Sequence, residues 1–312
     1  MKTASSLRFV SPKQTVVALG CFDGVHLGHE AVIRAAKEKA MELNCLCAVW
    51  SFATPPRNFF SPNSVTMLTD PRQKQAQIRR LGVDLYLCPA FRQEIAACSA
   101  EDFFQAMLLD KLQARHIVCG YNYTFGAGGK GTVALLKALC EANGIGLTVL
   151  PPVTLNGIPV SSSAIRSALS EGRPKDAAAM LGRPYSLCGT VIDGQKLARD
   201  LGFPTCNQQL SPDMTVPAYG VYLSRVRIEN RKKVFWGITN IGNRPTVGGC
   251  GVHTETHIFD FSESLYGKLL CVELIDFLRP ETPFPSLEAL SAQIASDIRT
   301  AKAIIAKTSF HC

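Results

Sequence analysis

The sequence predicts two domains, an N-terminal doubly wound α/β domain around a parallel sheet and a small C-terminal antiparallel β-barrel or sandwich with a terminal helix. At 312 residues the chain is about twice as long as one ordinary domain. Short β-rich runs alternate with helical patterns across residues 15–150, whereas short strands separated by Gly, Pro and Asn follow Gly182. We therefore expect domains at residues 1–182 and 183–312.

Five β-rich runs in the first half predict parallel strands, and four helical patterns lie between them. The predicted strands are Thr15–Gly20, Cys45–Phe52, Asp84–Cys88, His116–Gly120 and Gly146–Leu150. The helical patterns are Leu27–Leu43, Asp70–Leu81, Ala100–Gln113 and Thr132–Asn143. In such a sheet, ligands bind at the carboxyl ends of the strands.

Two short helical patterns, Ser161–Leu169 and Lys175–Leu181, end the first domain. The strands predicted after them are Tyr185–Ile192, Val221–Ile228, Val234–Ile241, Glu255–Phe261 and Leu269–Phe277. From Ser286 onward, apolar residues recur at helical spacing and predict one stripe that packs on the barrel.

The composition argues against a disordered chain and against membrane-spanning helices. Hydrophobic residues make up 46% of the chain and charged residues 19%, and the longest apolar runs are far shorter than the ~18–20 residues of a membrane helix. No signal-peptide pattern is present, so we expect a soluble, cytoplasmic protein without a membrane partner. The net charge of +8 suits anionic ligands, but no Lys/Arg-rich cluster predicts nucleic-acid binding.

The twelve cysteines are spread over the whole chain and show no Cys-x-x-Cys spacing. This distribution indicates neither a disulfide framework nor structural zinc. We expect buried thiols that pack as small hydrophobes, as at Cys45 and Cys47.

The strongest local signal is the segment Gly20–His29, which reads Gly-Cys-Phe-Asp-Gly-Val-His-Leu-Gly-His and joins the first predicted strand to the first helix. Its glycines allow a phosphate to approach the backbone, and the helix N-terminus offers free N–H groups. His26 and His29 are three residues apart and can donate hydrogen bonds to a phosphate oxygen. The alternative is that both are ordinary helix-start residues.

This segment resembles the nucleotidyltransferase signature in the form carried by bacterial bifunctional riboflavin kinase/FAD synthetases, as do Gly120–Gly126 and Ser161–Arg166. The resemblance implies a Rossmann-like nucleotidyltransferase domain that transfers an adenylyl group from ATP to FMN. It also implies that His26 and His29 stabilise charge on the α-phosphate as FMN attacks. The other residues that it assigns to ATP and its phosphates are Gly20, Phe22, Asp23, Gly24, Gly28, Asn122, Ser161, Ser162 and Arg166.

The glycine-rich stretch Gly126–Thr132 fits neither a dinucleotide fingerprint nor a P-loop. The preceding predicted strand ends well before the first glycine, no acidic residue follows at about twenty positions, and Gly131 stands where a P-loop needs Ser or Thr. We interpret this stretch as a mobile loop near the nucleotide.

The segment Leu201–Asn207 resembles the riboflavin kinase motif Gly-Phe-Pro-Thr-Ala-Asn, with Cys206 at the alanine position. The resemblance implies that oxygen atoms of Thr205 and Asn207 hold Mg²⁺ together with the ATP phosphates. An isolated segment of this kind would be a Pro-Thr turn at a strand end. Further stretches match the kinase module in order, namely Asn240–Thr246, Glu255–His257, Asp260-Phe261, Leu265–Lys268 and Leu278–Glu281.

Glu255 is the candidate general base within that module. A carboxylate in hydrogen-bond range of the ribityl hydroxyl of riboflavin can take its proton as the oxygen attacks the γ-phosphate. His253 and His257 flank Glu255, but the order differs from the His-Glu-x-x-His of a zinc protease. Residues four apart on a strand lie roughly 13 Å apart, too far to share one metal ion. We expect His257 to be structural.

Three positions depart from the family pattern. Ala198-Arg199-Asp200 stands where the kinase module has Gly-Arg, Thr54-Pro55-Pro56 stands where the adenylyltransferase module has Pro-His-Pro, and Thr132 replaces an acidic residue. The main phosphate-handling residues are retained.

The resemblance spans about residues 15–306 and implies a bifunctional enzyme that uses Mg²⁺ and ATP, with riboflavin, FMN and FAD as its other ligands. Two alternatives are a nucleotidyltransferase for another acceptor with an accessory barrel, and a non-enzymatic flavin- or RNA-binding regulator. Candidate stacking partners of the flavin ring are Phe59, Phe60 and Phe125. An oligomer is compatible with the sequence.

Overall fold

The computed structural model describes residues 1–62, 64–193, 202–246 and 249–309. The chain divides into two compact units, Met1–Ser162 and Ser163–Cys312. The two short helices that the sequence places at the end of the first domain thus group with the second unit. The functional division after residue 182 stays a prediction. The segment Ala198-Arg199-Asp200 lies outside the described residues.

The first unit is built on a six-stranded parallel sheet, which confirms the predicted α/β domain. Its strands lie in the order β1-β4-β3-β2-β5-β6, and every neighbouring pair is parallel. The strand order reverses between β2 and β5, and a ligand site is expected at the carboxyl ends of these strands. The strands are β1 (Lys2–Ala4), β2 (Thr15–Leu19), β3 (Leu46–Trp50), β4 (Leu85–Leu87), β5 (Ala114–Gly120) and β6 (Gly146–Leu150).

Alternate residues of β2 enter two different apolar cores. Val17 and Leu19 pack on one face of the sheet, and Val16 and Ala18 pack on the other. Burial on both faces explains why the central strands read as continuous apolar runs and not as alternating ones.

Helices cover this sheet, and most begin at a residue that the sequence marks as a helix start. Asp70 accepts a hydrogen bond from the Gln73 backbone N in a complete capping box, and Ser99 and Thr132 cap the helices that follow them. The helices are α1 (Leu27–Glu42), α2 (Arg57–Phe60), α3 (Pro71–Arg80), α4 (Gln93–Ala96), α5 (Ala100–Phe103, continuing as a π-helix over Phe104–Lys111) and α6 (Val133–Ala142). A short hairpin, β7 (Thr154–Leu155) and β8 (Ile158–Pro159), ends the unit.

The second unit contains a closed six-stranded antiparallel barrel, so the barrel alternative is confirmed. The strand order around it is β10-β13-β12-β11-β14-β9. Its elements are α7 (Ser162–Ser170), α8 (Pro174–Leu181), β9 (Tyr185–Ile192), β10 (Cys206–Gln209), β11 (Gly220–Ile228), β12 (Val234–Thr246), β13 (Gly249–Ile258), β14 (Leu269–Pro280) and α9 (Leu287–Ser309).

The terminal helix α9 packs on the outer face of the barrel, as its apolar stripe predicts. Ala301, Ile294 and Ile298 join a core with barrel residues such as Val221 and Ile238.

The barrel interior, in contrast, contains a row of buried hydroxyl groups that bond to one another. Ser224 Oγ lies 2.9 Å from Thr239 Oγ1, which lies 3.0 Å from Thr256 Oγ1. Pairing of these hydroxyls lets polar side chains fill a narrow barrel.

The sequence did not predict several features of the fold, among them the edge strand β1, the short helices α2 and α4, the β7–β8 hairpin and two features of the barrel. The strand β10 (Cys-Asn-Gln-Gln) has no apolar alternation, and its place in the barrel depends on pairing with β9 and β13. Cys188 and Cys271 form a disulfide bond, which corrects the expectation of thiols without disulfides. They are direct partners on β9 and β14 but are separated by 83 positions in sequence, so local spacing could not reveal the pair.

Among the residues that the structure describes, no helix is both long enough and apolar enough to cross a bilayer.

Candidate active sites

The loop that joins β2 to α1 is held in an unusual backbone conformation. Phe22, Gly24 and Val25 have positive φ angles of 49°, 81° and 40°. A positive φ is rare for non-glycine residues, especially for a β-branched one such as Val25. Such strain persists where the surroundings fix the backbone, and it clusters at ligand sites.

The imidazole rings of His26 and His29 stack at the first turn of α1. Their ring centroids are 3.6 Å apart and their planes differ by 17°, while Phe22 meets His29 edge-on at 5.3 Å. His26 caps the helix, because its Nδ1 accepts a hydrogen bond from the His29 backbone N at 3.3 Å. A neutral His26 therefore carries its proton on Nε2.

The side chain of His29 differs from that of His26 in its hydrogen bonding and has a lowered pKa. Among the described residues its buried Nδ1 atom has no hydrogen-bond partner. Burial, followed by the charges of His26 and Lys74, holds the pKa of His29 well below its usual value. His29 is thus a neutral side chain with an unused ring nitrogen at the end of the sheet where ligands bind.

Two glycines of this segment are required by packing within the loop itself. A Cβ at Gly28 would lie 3.2 Å from the His26 ring, and a Cβ at Gly20 would lie 3.0 Å from the Phe22 ring. Small residues at both positions therefore let these rings take their places. Their role as phosphate contacts stays a prediction.

The Asp23 carboxylate is directed toward protein groups. It is buried and accepts hydrogen bonds from the backbone N of Leu68 at 3.0 Å and of Thr69 at 3.4 Å. The Thr69 hydroxyl in turn accepts from the Gly24 backbone N at 3.2 Å. These bonds favour a role for Asp23 in fixing the loop over the direct phosphate contact that the resemblance implies. The negative charge of the carboxylate would also repel a phosphate.

The structure brings Ser162 to the same loop, because its Oγ donates to the Asp23 carbonyl oxygen at 3.0 Å. Ser161 directly precedes it. Asn122 is exposed just beyond the carboxyl end of β5, which neighbours β2 in the sheet. Arg166 lies in the part of α7 that groups with the second unit, so its place over the phosphates stays a prediction.

The aromatic candidates for the flavin ring separate into two groups. Phe125 is a core residue, because it is buried and its ring lies 5.8 Å from that of Tyr123. Phe59 and Phe60 are exposed and form an edge-to-face cluster with Phe91. This cluster, rather than Phe125, offers rings to a planar ligand.

A cavity of about 260 Å³ lies in the second unit between the barrel wall and α9. Its walls combine apolar side chains with acidic, basic and amide groups. They include Phe203, Thr205, Val221, Ile238, Asn240, Glu255, His257, Arg279, Glu281, Leu290, Ile294 and Asp297. An apolar pocket with a few converging polar groups is the usual form of a small-molecule site.

Strand register places three of the polar candidates in one row. Glu255 on β13 pairs directly with Asn207 on β10 and with Asn240 on β12. Direct partners on neighbouring strands face the same side of a sheet, about 5 Å apart at Cβ. The sequence-predicted base and one predicted Mg²⁺ ligand are therefore adjacent.

The residues present fit a magnesium ion. The Oδ1 atom of Asn207 is buried and, within the described part of the chain, has no hydrogen-bond partner. Thr205 lines the cavity two residues earlier, and the Glu255 carboxylate is on the adjacent strand. Amide, hydroxyl and carboxylate oxygens are the ligands that Mg²⁺ accepts.

His257 supports the loop that carries Thr205. Its Nδ1 lies 2.9 Å from the carbonyl oxygen of Pro204, and its ring meets Phe203 edge-on at 5.9 Å. These contacts agree with the expected structural role.

Sequence reasoning missed a buried ion pair in this cavity. Nη2 of Arg279 lies 2.9 Å from Oδ2 of Asp297, and Gln293 donates to the same carboxylate at 2.8 Å. The available signal was an acidic residue inside the apolar stripe of α9, between Ile294 and Ile298. Glu281 was also missed as a pocket residue, and its carboxylate occupies the space that a Cβ at Gly242 would need.

Two family models match this chain. A model of FAD synthetase matches residues 9–164, and a model of riboflavin kinase matches residues 181–305. The two matches correspond to the α/β unit and to the barrel.

Curated relatives match almost the whole chain. A bifunctional riboflavin kinase/FMN adenylyltransferase of Pseudomonas fluorescens is 38% identical over 94% of each chain. The proteins of the same description from Haemophilus influenzae and Bacillus subtilis are 36% and 34% identical and cover 92% and 91% of this chain.

A solved structure from Streptococcus pneumoniae matches with a TM-score of 0.88 and 29% identity, covering 96% of this chain and 98% of that one. That structure is described as a macrolide-efflux protein. Both family models and the curated relatives instead name flavin enzymes.

Proposed function

Because this chain belongs to the family of bifunctional riboflavin kinase/FMN adenylyltransferases, we propose that it makes FMN from riboflavin in its barrel and FAD from FMN in its α/β unit. The observation that carries this proposal is the separation of the two candidate sites. The histidine pair lies in the first unit, the Glu255 cavity lies in the second, and each unit matches its own family model.

In the kinase reaction, Glu255 accepts the proton of the ribityl hydroxyl while the oxygen attacks the γ-phosphate of ATP and ADP leaves. The cavity supports this step because its apolar walls suit the flavin ring and Glu255 stands among them. Asn207 and Thr205 would hold Mg²⁺, which neutralises phosphate charge when bound.

In the adenylyl transfer, a phosphate oxygen of FMN attacks the α-phosphate of ATP and pyrophosphate leaves. Phosphoryl chemistry of this kind needs positioning and charge stabilisation, and it needs no protein nucleophile. The Nε2–H of His26, the ring of His29 and the N-terminus of α1 supply such stabilisation. Asn122, Ser161 and Ser162 complete the part of the proposed nucleotide site that lies in the first unit, and the phosphate contact of Arg166 stays a prediction from the sequence.

We further propose a cytoplasmic enzyme whose ligands are riboflavin, FMN, FAD and ATP with Mg²⁺, acting without nucleic acid or membrane.

The test is a time course with purified protein, riboflavin, Mg²⁺ and ATP, with the flavins separated by chromatography. We expect FMN to appear first and then to give way to FAD. FMN alone would contradict the adenylyl-transfer assignment, and no turnover would overturn the proposal. The variant His29→Gln should accumulate FMN, and formation of FAD at the wild-type rate would refute the role of His29.

A further inference from the structure

Lys74 is a buried cation that neither reaction scheme uses. It lies in the first turns of α3 and is only 2% exposed. Lysine is rarely buried to this degree unless its ammonium group is paired. A specific set of contacts must therefore compensate its burial.

Those contacts join the carboxyl ends of two central strands. The Nζ of Lys74 donates to the carbonyl oxygen of Cys21 at 3.1 Å and to that of Phe52 at 2.8 Å. Cys21 follows β2 in the histidine loop, and Phe52 follows β3. The Cys21 oxygen also accepts from Ser51 Oγ at 2.8 Å.

A second connection joins the same two regions. Asp23, two residues after Cys21, accepts from the backbone of Leu68 and Thr69, just before α3 begins. Burial lowers the pKa of Lys74, and the nearby Asp23 carboxylate counters that effect. The histidine loop is thus fixed at two points, the carbonyl group of Cys21 and the carboxylate of Asp23. One segment holds both points, because Lys74 bonds to the first and the backbone of Leu68 and Thr69 bonds to the second.

The strained residues Phe22 and Val25 lie one and four positions after Cys21. Their positive φ values need external contacts to persist, and the Lys74 hydrogen bonds are placed at the start of that strained stretch. The stacked histidines stand at its end.

We propose that Lys74 is a positioning residue for adenylyl transfer, which orients His26 and His29 toward the triphosphate by holding the Cys21 and Phe52 carbonyls together. This inference rests on the proposed function of the first unit. Lys74 was not found from sequence because its partners come from two distant loops. Its only local signal is its position one helical turn before Ile78, the other buried residue of α3.

The test compares Lys74→Met, which keeps the aliphatic stem, with Arg80→Met, which removes one exposed charge from the same helix. Both reactions are assayed in each full-length variant at a temperature where circular dichroism shows a fully folded protein. For Lys74→Met we expect kcat for FAD formation from FMN to fall by roughly 10–100-fold, the scale of a small misplacement of catalytic groups. The KM for ATP should change much less, and the kinase rate should match that of Arg80→Met.

A pH profile separates positioning from a merely structural role. The His29 ring packs against His26 and Phe22, and the charge of Lys74 is one cause of the lowered pKa of His29, which Lys74→Met removes. The acid limb of kcat/KM for adenylyl transfer should therefore move to higher pH in Lys74→Met. Ser51→Ala, which removes the other side-chain donor to the Cys21 oxygen, should show a non-additive effect with Lys74→Met.

A folded Lys74→Met variant with wild-type kcat, or with an unshifted acid limb, would overturn this inference and leave the proposed function intact. An equal loss of both reactions would also overturn it. Absence of FAD formation from FMN in the wild-type protein would instead refute the proposed function, and this inference with it.

Discussion

Asn207 and Glu255 are direct cross-strand partners on β10 and β13, and the amide oxygen of Asn207 is buried without a hydrogen-bond partner in the described part of the chain. A polar atom in that state costs free energy unless a ligand satisfies it. Its neighbour is the one carboxylate that the sequence singled out as a base. The pair therefore places a metal-binding oxygen beside a proton acceptor.

Replacement of Asn207 tests the magnesium assignment. In Asn207→Leu the Mg²⁺ concentration for half-maximal kinase rate should rise about tenfold or more, because an oxygen ligand is lost. The unfolding free energy without Mg²⁺ should fall by less than about 1 kcal/mol, because Oδ1 has no bond to lose. Magnesium titration of FAD formation from FMN in the same protein is the control and should be unchanged. An unaltered kinase titration would contradict the assignment.

Replacement of Glu255 tests general-base catalysis. Glu255→Gln should lower FMN formation by about 10²–10⁴-fold, the usual contribution of a base, and leave FAD formation from supplied FMN unchanged. Glu281→Gln is the matched control, because that carboxylate lines the same cavity and accepts from Asn240 at 3.4 Å. Initial rates for both variants decide between the two carboxylates, and a larger loss in Glu281→Gln would reassign the base.

The Arg279–Asp297 pair should contribute to stability as well as to the pocket. The Asp297 side chain is 6% exposed and that of Arg279 is 19% exposed, so Asp297→Ala leaves a largely buried guanidinium without its carboxylate partner. We expect the barrel unit to lose about 3 kcal/mol of unfolding free energy. Urea unfolding of the full chain measures this loss.

The control for that variant is Lys175→Met. Lys175 pairs with Asp276 at 2.7 Å, but its side chain is 67% exposed. An exposed pair of this kind is worth less than about 1 kcal/mol. Equal losses of unfolding free energy in the two variants would show that burial of the Arg279–Asp297 pair adds nothing to its contribution to stability.

The elements that the sequence predicted are those with a strong apolar pattern, either a continuous run or a periodic stripe. The run from Val16 to Leu19 is apolar throughout because both faces of the central strand are buried, and the stripe of α9 is regular because one face covers the barrel. The strand β10 could not be predicted, since its residues are polar and its stability comes from pairing with β9 and β13. Pairing between distant segments likewise hid the Cys188–Cys271 bond.

The residues of the candidate sites also differ in whether the sequence alone reveals them. Motifs identified the histidine loop and the Asn207 segment because their residues are contiguous. Lys74, in contrast, bonds to residues that lie 22 and 53 positions away in the sequence. Asp297 bonds to a residue that lies 18 positions away. Asp23 is the opposite case. The sequence motif identified this residue, but only the folded chain reveals that its carboxylate bonds to the backbone of Leu68 and Thr69.

The lowered pKa of His29 predicts a pH dependence of stability in the first unit. The unfolded chain binds a proton on this side chain near pH 6.5, whereas the folded chain binds it only at lower pH. Stability is therefore fully present above about pH 6.5 and falls as the pH decreases below it, by up to about 1.4 kcal/mol per pH unit for one proton. His116, whose pKa is also lowered by burial, adds to the same trend.

The contribution of His29 is the difference between the wild type and His29→Gln. Urea unfolding between pH 5.5 and 7.5, as approximate limits that bracket the ordinary histidine pKa, should give a shallower dependence in the variant. In a Trp236→Phe background the only tryptophan is Trp50, which ends β3 and reports on the first unit. Because the variant cannot take up that proton, its stability relative to the wild type should rise as the pH falls. Parallel curves for the two proteins would show that His29 titrates alike in the folded and unfolded states, and would contradict its enclosure between Phe22 and His26.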